Sequence, residues 1–289
     1  MTKFKKFNPK ELELRDVHQL LLGSIAPRPI GFAASKNKKG QINLAPFSYH
    51  NAFSSNPPII GISPAYSGRT GKAKNTLINI LETKEFSLSV VSHEIVEQMN
   101  ICSAEYPNNI NEFEKSGLNE YKSKIIDVPG VVESPLIMEC KLIQHIELSN
   151  QPAGGNLLLG EIVQFHAKEE VYTSEGTIDP VKVDQVARLG LNWYSRANQG
   201  LFQLSPPKHL PIGVDALPEK VKNCSYFSGK HLARLGSINE IPKRDINDDL
   251  TSTYSRFTDA EMLKICSILV EEGKIIEAWQ VLYLAEVIS

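Results

Sequence analysis

The sequence predicts a mainly β domain with short helices, followed by a C-terminal helical extension. Three observations carry that expectation. Strand-like runs joined by hairpin turns fill the chain as far as Val171. Pro206-Pro207 and Pro211 then interrupt it, and two amphipathic helical runs close it. Antiparallel strands with tight turns favour a closed barrel over a doubly wound parallel sheet.

Taken in order, a short helix-like stretch around Asp16–Leu22 leads into a strand over Pro29–Ser35. The polar run Lys36-Asn-Lys-Lys-Gly40 reads as a turn, because Gly40 tolerates positive φ. A second strand over Gln41–Ser48 completes a hairpin. The residues after it read as a loop ended by Pro57-Pro58, and an apolar strand runs over Ile59–Ser63. Beyond a polar, basic loop from Pro64 to Lys74, Asn75 or Thr76 is placed to cap a helix with Leu77, Ile80 and Leu81 on one face. Phe86–Ser92 alternates as a strand, and His93–Ile101 returns to helical spacing. Two long β-like stretches, Leu136–Leu148 and Leu157–Val171, flank a turn at 149–155. The segment up to Asp249 reads as polar and irregular. Thr258-Asp-Ala-Glu261 is a capping box opening a helix that Gly273 ends, and Lys274–Ile288 forms a second helix containing Trp279.

The bulk numbers narrow the function classes. The chain has 289 residues, 42% hydrophobic and 22% charged, with net charge −2, so nothing in it calls for nucleic acid or an anionic membrane. The basic start is not followed by an apolar run, and no stretch is long enough for a membrane span. Cys102, Cys140, Cys224 and Cys266 are scattered without a C-x-x-C pair, as in a reducing compartment. A cytoplasmic protein is expected. The histidines show no metal-ligand spacing, there is no G-x-S-x-G elbow, and the Gly154-Gly155…Gly160 run stands between strands rather than before a helix.

One loop carries chemistry. Ser67-Gly-Arg-Thr-Gly-Lys-Ala-Lys-Asn-Thr76 places three cations and several hydroxyls just before a helix, where free N–H groups and the dipole suit a phosphate. It is not a P-loop, since its glycines are too close and Ala73 follows Lys72. A solvated basic turn would have the same composition, so both readings stand on the loop alone.

The loop sits within an ordered set of motifs. Pro27-Arg-Pro-Ile-Gly31, Asn43-Leu-Ala-Pro-Phe-Ser48, Ser54-Ser-Asn-Pro-Pro-Ile-Ile-Gly-Ile-Ser63 and Lys74-Asn-Thr-Leu-Ile-Asn79 follow one another closely. Further on come Asn100-Ile-Cys-Ser-Ala-Glu-Tyr-Pro107, Asn111-Glu-Phe113, Glu133-Ser-Pro-Leu136, Gly155-Asn-Leu-Leu-Leu-Gly-Glu-Ile-Val163 and Arg188-Leu-Gly190 with Trp193-Tyr194. The set, over residues 15–205, resembles the flavin reductase-like family with its FMN-binding split barrel, closest to the longer flavoredoxin-like members. The resemblance implies a split-barrel domain over 1–207; the minimal fold lacks the remainder, and the prolines and paired amphipathic helices predict a helical extension over 208–289, packed beside the barrel.

It also implies FMN as cofactor. Backbone N–H groups of Asn43, Ala45, Phe47 and Ser48, with Pro46 restraining their shape, are expected at the ring edge. Ser48 and Ser63 would meet the ribityl chain or phosphate, and Arg69, Lys74, Asn75 and Thr76 the phosphate. Arg28 reads equally as a phosphate contact or as a structural anchor. Ser103 and Arg188 are expected to reach the flavin, in part from a second subunit, because such barrels dimerise around their cofactors.

Small members of the family carry Gly-Asp-His before a Gly-Glu-Val strand. Here the stretch is Gly154-Gly155-Asn156, which counts against rapid release of free reduced flavin. The leading expectation is an oxidoreductase passing electrons from NADH or NADPH through FMN to a small-molecule or protein acceptor. An electron-transfer flavoprotein without a nicotinamide site, and a flavin-binding module that recruits a partner, are the alternatives.

Overall fold

The computed structural model describes residues 2–204, 206–207, 209–246, 248–254 and 256–288. Lys208, where the expected extension starts, lies outside the described residues. The chain divides into two compact units, the first ending at Leu201 and the second starting at Phe202.

The first unit begins with α1 (Leu14–Ser24), followed by β1 (Arg28–Pro29), β2 (Gly31–Lys36), β3 (Ile42–Phe47), β4 (His50–Ser55) and β5 (Pro58–Ile62). Next come α2 (Asn75–Thr83), β6 (Glu85–Val90), α3 (Val96–Ile101) and α4 (Glu112–Ser116). Two short strands, β7 (Glu120–Tyr121) and β8 (Gly130–Val131), precede the long hairpin of β9 (Leu136–Glu147) and β10 (Asn156–Ala167). The unit closes with α5 (Pro180–Val183), β11 (Val186–Arg188) and β12 (Tyr194–Arg196).

A seven-stranded sheet runs in the order β3-β2-β6-β9-β10-β5-β4, every neighbouring pair antiparallel. Its two end strands are consecutive in the chain, linked by Ser48 and Tyr49. β1, β11 and β12 form a separate three-stranded sheet.

Side-chain alternation explains why β2 is buried on both faces. Phe32 and Ala34 feed one apolar cluster, with Leu44, Met99 and Phe113, while Ala33 between them feeds another, with Ile62, Ile80, Phe86 and Leu158. α2 covers the second cluster with Leu77 and Ile80, one helical turn apart. At Gly160 of β10 a Cβ would run into the Phe86 ring, so the ladder requires glycine there.

Several local expectations shift. The stretch expected as a loop after β3 is β4, an exposed end strand, His50-Asn-Ala-Phe-Ser-Ser55, whose residues bury no face and so leave no period-2 signal. Pro29–Ser35 is split at Ile30 between two sheets. His93–Ile101 starts as a 3-10 turn over His93–Ile95 before α3. The N-cap of α2 is Lys74, with Asn75 and Thr76 already helical. Both side chains are engaged elsewhere, Asn75 donating to the Tyr106 carbonyl and Thr76 accepting from Asn43.

The regular elements described in the second unit are helices: α6 (Glu219–Lys222), α7 (Gly229–Leu235), α8 (Asp248–Tyr254), α9 (Asp259–Glu271) and α10 (Ile275–Leu284). α6 and α7 fall in the segment expected to be irregular and α8 starts at its end, each too short to show a helical period. The Thr258 capping box is present, with Thr258 N–H donating to Glu261 at 2.9 Å. Trp279 is fully buried at the centre, its indole N–H donating to the Leu235 carbonyl at 3.2 Å. Ala233-Arg-Leu-Gly236 is the end of a helix, whereas its sequence echo Ala187-Arg-Leu-Gly190 leaves a strand, so the two share no structural role.

Candidate functional site

Three connected depressions run from the meeting of β3, the start of α2 and the loop after α3 towards β11 and β12. The first, about 350 Å³, is walled by Asn43–Phe47 (without Leu44), by residues of the 67–76 loop, and by Cys102–Tyr106 with Glu112. That volume is within the range of small-molecule sites, about 300–1,000 Å³.

Local chemistry fixes these walls. Asn43 donates to the Thr76 hydroxyl at 2.9 Å, both side chains being buried, and this ties β3 to the first turn of α2. Asn79, a turn later, donates to Ser35 of β2 at 3.2 Å. Lys74 at the N-cap supplies no side-chain acceptor, and the first turn contains no acidic residue. The first-turn N–H groups and the positive dipole end are therefore available to an anion. Lys72, Lys74, Thr70 and Ser67 stand around them.

Two carboxylates share the cavity. Glu105 accepts a hydrogen bond from Lys74 and lies 3.5 Å from Arg69. The Lys74 ammonium holds the Glu105 carboxyl below the usual carboxylate range. Glu112 is only 3% exposed, and its Oε2 accepts the Leu44 amide at 2.9 Å. Burial pushes its carboxyl above the usual range.

A second depression of about 360 Å³ has Ile30, Met99 and Pro46 as its apolar lining, with Ser48, Ser103 and Arg188 at its polar side. It shares Pro46 and Ser103 with the first. A third, larger groove of about 650 Å³ shares Asn100, Arg188, Asn192 and Tyr194 with the second.

The expected site residues divide accordingly. Asn43, Ala45, Pro46, Phe47, Lys74, Asn75, Thr76 and Ser103 line the first cavity. Ser48 and Arg188 line the second, and Arg28, Ser63 and Arg69 line none of the three. Arg28 is 4% exposed and donates to the carbonyls of Leu22, Ile25 and Leu189 and to the Ser48 hydroxyl. Its geometry is that of the structural anchor, one of the two readings its sequence context left open. Ser63 lies just beyond β5, its amide donating to the Tyr49 carbonyl. The Arg69 side chain is 83% exposed.

On the side of β3 that carries the Leu44 and Pro46 main-chain positions, which were not among the amides expected at the ring, no amide is free. The Leu44 amide is taken by Glu112, and Pro46, on the same side by strand alternation, has none.

Sequence reasoning missed Glu105, Tyr106, Glu112, Asn100, Asn192 and Tyr194. Most of them lie inside motifs of the resemblance (Asn100–Pro107, Asn111-Glu-Phe113 and Trp193-Tyr194), whose pattern alone assigns them no role. Among the described residues no group of three or more His, Cys, Asp or Glu is placed to hold a metal, and no helix is long and apolar enough to cross a membrane.

Comparisons with known proteins converge on this unit. The flavin reductase like domain matches residues 22–197. Nitrilotriacetate monooxygenase component B from Bacillus cereus is 34% identical, with a TM-score of 0.66 over 71% of this chain and 100% of that one. The 2-nitrobenzoate 2-nitroreductase of Pseudomonas fluorescens is 30% identical, with a TM-score of 0.64 over 72% and 98%. A Shewanella frigidimarina protein with a split barrel domain is 26% identical, with a TM-score of 0.60 over 70% and 100%. The family match ends before Phe202, so the second unit lies outside it.

Proposed function

The chain belongs to the flavin reductase-like family, and from that premise we propose that it binds FMN in the cavity at the start of α2 and works as an oxidoreductase fed by NADH or NADPH. The observation that carries this reading is the juxtaposition of the uncapped N-terminus of α2 with Lys72, Lys74, Thr70 and Ser67 in one cavity. That donor set fits a phosphomonoester, whose oxygens take both charge-assisted side-chain bonds and helix amides.

The ring would extend from there past Pro46 and Ser103, the two residues common to the first and second depressions. Bound FMN supplies a two-electron carrier that passes electrons to a small-molecule or protein acceptor. The protein's own part is positional. Asn43–Thr76 and Leu44–Glu112 hold the β3 edge against α2, and Ile30 and Met99 offer an apolar surface that excludes water.

We read the seven-stranded sheet as a split barrel whose end strands β3 and β4 close towards each other, and the protein as a cytoplasmic homodimer. Exposed Phe53 on β4, Ile143 on β9 and Phe165 on β10 support the dimer, since apolar surface of this kind on strands is commonly covered by a partner. The relationship to a monooxygenase component and a nitroreductase supports redox chemistry rather than simple flavin storage.

One observation favours an electron-transfer flavoprotein as second reading. The Gly154-Gly155-Asn156 stretch has no histidine, and Asn156 is fully buried, bonded to His145 at 2.9 Å and donating to the Pro64 carbonyl at 3.3 Å. Anaerobic addition of NADH or NADPH to the FMN-loaded protein decides between the two. Rapid bleaching of flavin absorbance is expected. Absence of bleaching, with reduction by dithionite intact, selects the second reading.

A further inference from the structure

Arg188 stands directly opposite Arg28 across the β1–β11 ladder. Like charges at facing ladder positions repel, and a carboxylate between them would relieve the repulsion. Neither arginine has one. Arg28 uses its donors on backbone carbonyls and the Ser48 hydroxyl, and Arg188 donates to the Leu191 carbonyl at 2.5 Å. Among the described residues no Asp or Glu pairs with either. Arg196 in the same groove is the contrast, held by both oxygens of Asp184 at 2.7 and 2.6 Å.

Arg188 is also fixed in orientation. Its guanidinium carbon lies 4.4 Å from the centre of the Tyr194 ring, so the stack presents a flat cation at the junction of the second depression and the third groove. Beyond it, that groove of about 650 Å³ offers side-chain amides from Asn100, Asn192 and Gln199. A fixed, unpaired arginine beside a polar groove matches a pyrophosphate followed by a ribose and base, because guanidinium forks match phosphate geometry and amides suit sugar and base edges.

We propose that this groove holds the nucleoside diphosphate half of the nicotinamide donor, with Arg188 on its phosphates. This rests on the donor reading given above. It makes Arg188 a specificity residue for the donor rather than a contact of FMN. Contiguity supports the assignment: a donor whose nicotinamide reaches the flavin near Pro46 and Ser103 has its tail directed past Asn100 into the groove.

The test is calorimetric titration of the protein with ADP, adenosine and benzoate, with FMN affinity measured separately. ADP is expected to bind better than adenosine, and Arg188→Ala to weaken ADP by about tenfold or more, a loss several times larger than any in FMN affinity. The same variant should raise KM for the nicotinamide donor more than it lowers kcat, and Arg188→Lys should fall between the two. Unchanged ADP affinity in Arg188→Ala overturns the proposal. So does loss of FMN by that variant, which would return Arg188 to the flavin, or Arg188-dependent binding of benzoate without ADP, which would make the groove an aromatic-acid site. A wild-type protein that takes ADP but never FMN would instead overturn the cofactor reading and leave the groove standing.

Discussion

The carboxylate of Glu105, in the lining of the cavity, rests on the ammonium of Lys74 and reaches towards the exposed Arg69 beside it, so one acidic side chain engages a cation available to a phosphate. An incoming phosphomonoester competes with it for the same donors. Glu105→Gln removes that competitor while keeping the side chain's size. FMN should bind several-fold tighter to the variant, and riboflavin, lacking the phosphate, should bind as before. Fluorescence quenching on titration reads both. Weaker FMN binding would show that Glu105 orders the loop rather than occupying the anion's place.

The complementary change is Lys74→Ala. Loss of one charge-assisted contact costs about 1.5–3 kcal/mol, or about tenfold or more in FMN affinity, with riboflavin little affected. Equal losses for the two ligands would remove the phosphate from this end of the cavity.

Glu112 gives a pH signature. Burial holds its folded-state pKa above the unfolded value of about 4.3. The native state therefore keeps the proton longer, and this group's contribution is complete below the unfolded pKa and is lost as pH rises through the folded one. Glu112→Gln keeps an acceptor for the Leu44 amide without the buried charge. Denaturant midpoints should show the variant matching or exceeding the wild type at neutral pH, with any advantage shrinking towards pH 4. Glu112→Leu instead orphans that amide and should cost about 1–3 kcal/mol throughout. A glutamine variant less stable at pH 7 than at pH 4.5, relative to wild type, contradicts this reading.

Glu139 has the opposite sign. Burial alone would raise its pKa, but the amides of Lys124, Ile125 and Ile126 and the His166 ring outweigh burial and hold it low. His166 Nε2 is 2.6 Å away, and the Tyr121 hydroxyl lies 3.2 Å from His166 Nδ1. The stabilisation is present above the unfolded carboxyl pKa and is lost as pH falls through the folded one. Glu139→Gln should lose about 2–4 kcal/mol at pH 7, and its deficit should close below pH 4. A constant deficit across that range would mean that shape, not charge, matters at this position.

The legible part of the fold is the part with a periodic signal. β2, β6 and the β9–β10 hairpin alternate or run apolar because they are buried, and the Thr258 box declares α9 through its own side chains. β4 and α6 to α8 bury too little, or are too short, to carry a period. In the site, Lys74, Thr76 and Asn43 were legible because their motifs are local and ordered. Glu112 lies in the Asn111-Glu-Phe113 motif, but its role was not legible, since it depends on α4 meeting the β3 edge 68 residues away in sequence. Arg28 shows the converse: its motif was visible, but only the positions of the Leu22, Ile25 and Leu189 carbonyls show where its donors go.

The last prediction concerns the second unit. Every residue lining the first cavity lies between Asn43 and Glu112, inside the first unit, and the cluster around Trp279 draws only on Ile212 and later residues. Among the described residues each cluster is therefore built within its own unit, and a lesion at Trp279 need not empty the cavity. Trp279→Ala removes a fully buried indole and the hydrogen bond to Leu235, which costs about 3–5 kcal/mol. A helical core of this size is expected to lose much of its stability under such a change. Ending the chain after Leu201 is the harsher version. Both variants should retain FMN with wild-type affinity and remain dimeric by light scattering, while the first loses helical signal at a lower temperature than the wild type. If either stays folded and dimeric yet releases FMN, the second unit contributes to the cofactor site and the placement of that site wholly within the first unit is wrong.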